Sequence, residues 1–236
     1  MPLDLASPDN IPDATLTLIA RQRPKLTKVK YLEEFYDEPA ILSIIQELDE
    51  HCLTHGVIGY HYTRAIASAI RHNGLLASTG SERRRQFLVD HEPLFTAAQR
   101  GAIGDAWQRY FDGWQTRARD GRVWFTLTNQ GIRDGGATRL LRYFGGESIY
   151  MPLTQHEDIA KILSSIGKPL VVLAGLDASR VKTFAEYPFG KAWLSTYHCK
   201  LNPRAFRVDF DLYASESIAP SSILAVNPAE HYGWEE

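Results

Sequence analysis

His61, Tyr62 and Thr63 follow the short apolar run Val57-Ile58 and lead into a helix-forming stretch. They place an imidazole, a phenol ring and a hydroxyl at one point of the chain, groups that can hydrogen-bond and cover a polar ligand. The acids that could face them are Glu147, Asp209 and Asp211. His61 with Glu147 is the kind of pair a hydrolase or nuclease uses to move protons, alone or beside a metal. Gly145-Gly146, just ahead of Glu147, would let the backbone come close to a ligand. Trp124 and Phe125 add aromatic surface; neighbours on a strand face opposite ways, so one of the two is core and the other is available. Each residue also has a plainer role. His61 can be a core histidine satisfied by backbone groups, and Thr63 can cap a helix starting at Arg64. The three acids can be solvated.

The elements that would position these residues follow from spacing. Ile66 and Ile70 lie four apart and predict a helix over 65–71, stopped by Asn73-Gly74. Upstream, Pro39 opens a predicted helix over about 40–55, with Ile41, Ile44, Ile45 and Leu48 as its buried stripe and Gly56 closing it. Residues 1–30, with four prolines, read as an irregular arm, with one strand or helical turn over 15–20, on a single domain spanning 31–236. Residues 81–120 read as a helical insertion. In it, a helix over 96–120 aligns Trp107, Tyr110, Phe111 and Trp114 on one face. Strands are predicted over 122–128, 147–153, 169–176, 193–200, 206–214 and 223–226, and a helix over 156–166. Helices dominate the first half and strands the second, so the class is α+β.

Composition narrows the function further. A length of 236 residues with 44% hydrophobic and 23% charged residues is that of a globular protein with a sizeable core. A net charge of -2 carries no general nucleic-acid signature. No signal-peptide pattern and no bilayer-length apolar run is present, so a cytoplasmic protein with no membrane partner and with free Cys52 and Cys199 is expected; delivery as an effector is compatible with this.

Taken in order, three stretches resemble the ADP-ribosyltransferase superfold, in the manner of its divergent bacterial toxin-like and DNA-modifying members. The first is His61-Tyr62-Thr63 with its helix and Gly74-Leu75-Leu76. The second is Val123-Trp124-Phe125-Thr126 after the Gly121 turn, and the third runs from Asp211 to Ile223. Together they span roughly residues 57–226. The sequence departs from the family where Asp211, or Asp209 on the same face, stands in place of the usual glutamate.

The resemblance implies a split mixed or antiparallel sheet core, with a helical N-terminal region and the helical insertion. It implies NAD as substrate, consumed by ADP-ribosyl transfer or NAD cleavage in a toxin, effector or defence protein. In that scheme His61 holds the nicotinamide-side ribose, and Tyr62, Thr63, Trp124 and Phe125 contact NAD. Asp211 stands at the position of the family's catalytic carboxylate, and Glu147, after its glycine pair, is the other candidate for that role. The macromolecular acceptor, protein or nucleic acid, is left open. A non-catalytic module of the same fold, binding a nucleotide, nucleic acid or protein, is the alternative, and the missing glutamate favours it.

Other constellations say less. His51 and His55, four apart around Cys52, have zinc-compatible spacing but no second cluster. His198-Cys199, as neighbours on a strand, could not form a nucleophile–base pair. Arg83-Arg84-Arg85, with Arg71, Arg100 and Arg109, could meet phosphates, but interspersed Glu82, Asp90 and Glu92 make a solvated helix face the simpler reading.

Overall fold

In the computed structural model of the chain, residues 1–111 and 113–235 are described. The class is α+β, with eleven α-helices among the described residues and one six-stranded sheet. The strands are β1 (Val57–Ala65), β2 (Val123–Thr126), β3 (Lys168–Leu176), β4 (Lys182–Thr183), β5 (Asp211–Ala214) and β6 (Ile223–Pro228). Their order in the sheet is β4-β5-β2-β1-β3-β6. β1 and β2 are antiparallel with Tyr60 opposite Thr126, and β4 and β5 are antiparallel with Lys182 opposite Tyr213. None of the described helices is long and apolar enough to cross a membrane.

The chain divides into two compact units. The first comprises residues 1–60, 124–131 and 174–213. It contains α1 (Asp13–Leu26), α2 (Pro39–His55) and, late in the chain, a helix over Pro188–Leu201. Of the arm expected over 1–30, residues 13–26 are therefore a helix. Asp13 sits in its first turn and Arg23 and Lys25 in its last, matching the helix dipole, and Ile19 and Leu26 are fully buried. α2 keeps the predicted boundaries and stripe. Gly56 ends it at φ 74°, where an added Cβ would lie 2.6 Å from the Leu176 carbonyl oxygen, so glycine is required.

The helix over 188–201 corrects the expected strand over 193–200. Its β-branched and aromatic residues suit a strand, but the tertiary setting overrides them. Pro188 occupies its first turn, and the buried Asp49 carboxylate of α2 accepts from the Gly190 amide at 3.0 Å. Gly190 lets the backbones approach so closely that a Cβ would lie 2.0 Å from the Ile45 carbonyl oxygen. Trp193 is fully buried and its indole N–H donates to the Ser7 carbonyl at 2.9 Å. Both cysteines are free.

The second unit comprises residues 61–123, 132–173 and 214–236. After β1 come α3 (Ala67–Asn73), α4 (Gly80–His91), α5 (Ala97–Tyr110) and α6 (Gly113–Arg119). Capping boxes start both α4 (Thr79 with Glu82) and α5 (Thr96 with Gln99). The single helix expected over 96–120 is broken: α5 ends at Tyr110, and Trp114 on α6 is 62% exposed. Then come α7 (Gln130–Arg133), α8 (Thr138–Arg142), α9 (Glu147–Tyr150) and α10 (Glu157–Ser165); the helix over Pro188–Leu201 in the first unit is α11.

The strand expected over 147–153 is the short helix α9 followed by a 3-10 turn. Gly145 and Gly146, at φ 88° and 75°, turn the chain just before it. Ser148, Ile149 and Tyr150 are then buried in succession, which a half-exposed strand does not allow. Phe87, Ile103, Trp107, Ile149, Leu153 and Leu163 form this unit's apolar centre, and Trp107 donates its indole N–H to the Ile149 carbonyl at 2.9 Å.

Candidate functional site

β1 places His61 and Thr63 side by side. Side chains alternate along a strand, so His61, Thr63 and Ala65 share a face. All three line a cavity of about 470 Å3 within the second unit, a size typical of small-molecule sites. Tyr62, on the alternate face, is 6% exposed and is not among the residues lining the cavity.

The segment after α3 forms one edge of the cavity. Gly74 ends α3 at φ 72°, where a Cβ would lie 1.9 Å from the Ile218 carbonyl oxygen. Leu75 and Ile218 then exchange backbone hydrogen bonds of 3.0 and 2.8 Å, and Leu75 and Leu76 line the cavity. Gly145 lines it as well, its amide 3.4 Å from the Arg64 carbonyl. The Arg64 side chain is buried and donates from Nε to the Ile166 carbonyl at 3.0 Å.

α4 supplies much of the remaining wall, through Glu82, Arg83, Gln86, Phe87, Asp90 and His91. The Thr79 backbone and hydroxyl donate to the Glu82 carboxylate, which lowers its pKa and keeps it ionised. Asp90 accepts from Gln86 Nε2 at 2.7 Å. The Arg83 Nε donates to Ser78 Oγ at 2.9 Å, and its Nη2 donates to the Leu76 carbonyl. His91 meets the Phe144 ring edge-on at 4.9 Å, and burial lowers its pKa against the opposing pull of Asp90. Burial therefore favours the neutral imidazole.

Glu147, the acid expected from its place after Gly145-Gly146, is not among the cavity-lining residues. It heads α9, and Arg119 Nε donates to its carboxylate at 3.1 Å. The other expected residues belong to the first unit. Phe125 is 2% exposed and is the core member of its pair; its ring fills the space where a Cβ on Gly59 would sit. Trp124 is half-buried and lies in an aromatic trio, stacked on Phe184 at 5.9 Å and tilted against Tyr213 at 5.0 Å.

Asp211 is exposed at the start of β5. The predicted strand over 206–214 pairs only from 211 onward. Just before it, the Asp209 carboxylate takes hydrogen bonds that a neighbouring strand's carbonyls would otherwise receive. Leu127 N–H, Thr128 N–H, Thr128 O–H and Phe210 N–H all donate to it, at 2.7–3.3 Å. Burial nevertheless raises its pKa to about 6, outweighing those hydrogen bonds.

The pairs set aside on sequence grounds are also located. The His51 and His55 rings lie 4.1 Å apart on α2, and burial raises the Cys52 thiol pKa. His198 and Cys199 lie on helix α11, not on a strand; His198 is fully buried with Nε2 3.1 Å from the Val29 carbonyl.

The sequence offers Arg83 as a phosphate contact but, with Glu82 and Asp90 beside it, favours a solvated face, and it gives no signal for His91. Positions 83, 86/87 and 90 recur at helical spacing on one face. The charges on that face made it read as solvent-facing. No protein-family model, curated protein or solved structure matches the chain.

Proposed function

We propose that the protein binds NAD in the cavity beside His61 and cleaves its nicotinamide–ribose bond, transferring ADP-ribose to an acceptor or to water. Such an activity suits a toxin, effector or defence protein. The observation that carries the reading is that His61 and Thr63, with the Gly74–Leu76 segment, line one cavity of ligand size. These are the residues by which the chain resembles ADP-ribosyltransferases.

In this reading the C–N bond breaks with its electron pair leaving on nicotinamide, and positive charge develops on the ribose. His61 and Thr63 hold the ribose hydroxyls, and Phe87 and Phe144 offer rings against the base. A carboxylate favours the cationic ribose, and a fixed charge aimed at developing charge is the strongest help a site can give. The resemblance points to Asp211 for that carboxylate, and the Gly145-Gly146 pair points to Glu147. Glu82 and Asp90 are the carboxylates that share the cavity with His61.

Nicotinamide release from NAD tests the reading. His61→Ala should abolish release with an unchanged melting temperature, and single Glu82→Gln, Asp90→Asn, Glu147→Gln and Asp211→Asn variants identify the carboxylate. Failure to bind or consume NAD, with protein and nucleic-acid acceptors supplied, would sink it. The pairing of Glu147 with Arg119 favours a second reading, a nucleotide-binding module without transfer chemistry. It is distinguished by NAD binding without nicotinamide release.

A further inference from the structure

We propose that the cavity recognises phosphate, with Arg83 as its inner anion contact and Arg85 as its outer one, so that the ligand carries a nucleoside diphosphate, free or as half of a dinucleotide. The nucleoside part rests on the proposed function; the phosphate part rests on Arg83.

Arg83 is half-buried on α4 and lines the cavity. Its guanidinium has five N–H donors. Its partners, Ser78 Oγ and the Leu76 carbonyl, are neutral oxygens. No ion pair among the described residues includes Arg83. A guanidinium drawn out of water is costly unless an anion meets it, and the cavity is where an anion could do so. The two carboxylates in the same wall are otherwise engaged: Glu82 closes the capping box with Thr79, and Asp90 accepts from Gln86. Ser78 and Leu76 hold the guanidinium by one edge, so its remaining donors are oriented before a ligand arrives. Arg85 is exposed at the same wall and adds charge in water, beside Glu82. Phe87, Phe144 and Leu75 give the cavity an apolar side for a heterocycle and strengthen any ion contact by excluding water.

The experiment compares adenosine, ADP, inorganic pyrophosphate and NAD by calorimetry on the full chain, with wild type, Arg83→Gln, Arg83→Lys and Arg85→Gln. ADP should bind about 10- to 100-fold tighter than adenosine, the range for charge-assisted hydrogen bonds. Arg83→Gln should erase that ratio while leaving adenosine affinity unchanged. Arg83→Lys keeps the charge but loses the planar fork and should recover part of it. Arg85→Gln should reduce it several-fold, and less so at high salt. If Arg83→Gln fails to fold, Arg83→Lys and Arg85→Gln carry the test. ADP and adenosine binding alike, neither binding, or a ratio indifferent to all three variants would overturn the proposal. Nicotinamide release, read in parallel, separates the two ideas. ADP preference without release leaves the phosphate pocket standing and removes the transfer chemistry; release without ADP preference does the reverse.

Discussion

Asp209 and Arg83 are both charges drawn away from water, one in each unit, and their surroundings treat them differently. The Asp209 carboxylate receives four hydrogen bonds from Leu127, Thr128 and Phe210. Its own chain satisfies it, and it ties the segment after β2 to the segment before β5. Arg83 donates only to neutral oxygens and borders a cavity. A buried charge whose partners are all internal holds a fold. A buried charge facing a cavity without a counter-ion is poised for a ligand. Exposure alone does not separate the two, since both residues are half-buried; the partners do.

The contrast can be broken at several points. The largest effect is expected at the cavity: His61→Ala should lower nicotinamide release about 100-fold or more, the scale of losing a group that positions the reacting bond, with urea unfolding unchanged. Retained release would detach the cavity from the chemistry. Next is Asp209→Ala, which strands the donors of Leu127 and Thr128. Urea unfolding should report a loss of about 3–5 kcal/mol, while cavity ligands bind normally. Asp209→Asn keeps an acceptor and should lose less.

Asp209 also sets a pH dependence of known sign. Its folded-state pKa, about 6, lies above the ordinary 3.8. Its favourable contribution is therefore full below about pH 4 and lost as pH rises through 6. Because the group is half-buried, the change is about 2–3 kcal/mol. Stability against pH should carry that slope in the wild type and lack it in Asp209→Asn.

A smaller and sharper comparison uses the two capping boxes. Thr79→Ala and Thr96→Ala should each destabilise by about 1 kcal/mol. Only Thr79→Ala, at the head of the cavity-lining α4, should weaken ligand binding. Smallest of all is Glu147→Gln, which breaks an ion pair whose carboxylate side chain is 44% exposed. Its effect on unfolding should stay within about 0.5 kcal/mol, and loss of nicotinamide release in this variant would return Glu147 to the site.

Much of the local structure was legible in the sequence. The Pro39 start, the Ile41/Ile44/Ile45/Leu48 stripe and the Gly56 stop define α2 because helix periodicity and end signals are local physics. The same holds for Gly74 after α3. The two failures have different causes. Residues 193–200 carry a strand's composition, yet they form α11 because Asp49 caps it and Gly190 lets it press against α2. Residues 147–150 form a helix because two positive-φ glycines redirect the chain before they pack. The first is decided by contacts distant in sequence, the second by the backbone conformation of two adjacent glycines.

The site divides along the same line. The sequence by itself brought His61, Tyr62 and Thr63 to one point of the chain, because they are consecutive; the strand β1 then turns Tyr62 away from the other two. The sequence also determined that one of Trp124 and Phe125 had to be core. Only the tertiary structure decided that this one is Phe125, that Glu147 pairs with Arg119, and that the arginine run at 83–85 borders a cavity. A charged helix face reads the same in sequence whether it meets water or a pocket. Which of the two it meets depends on what the rest of the chain places opposite it.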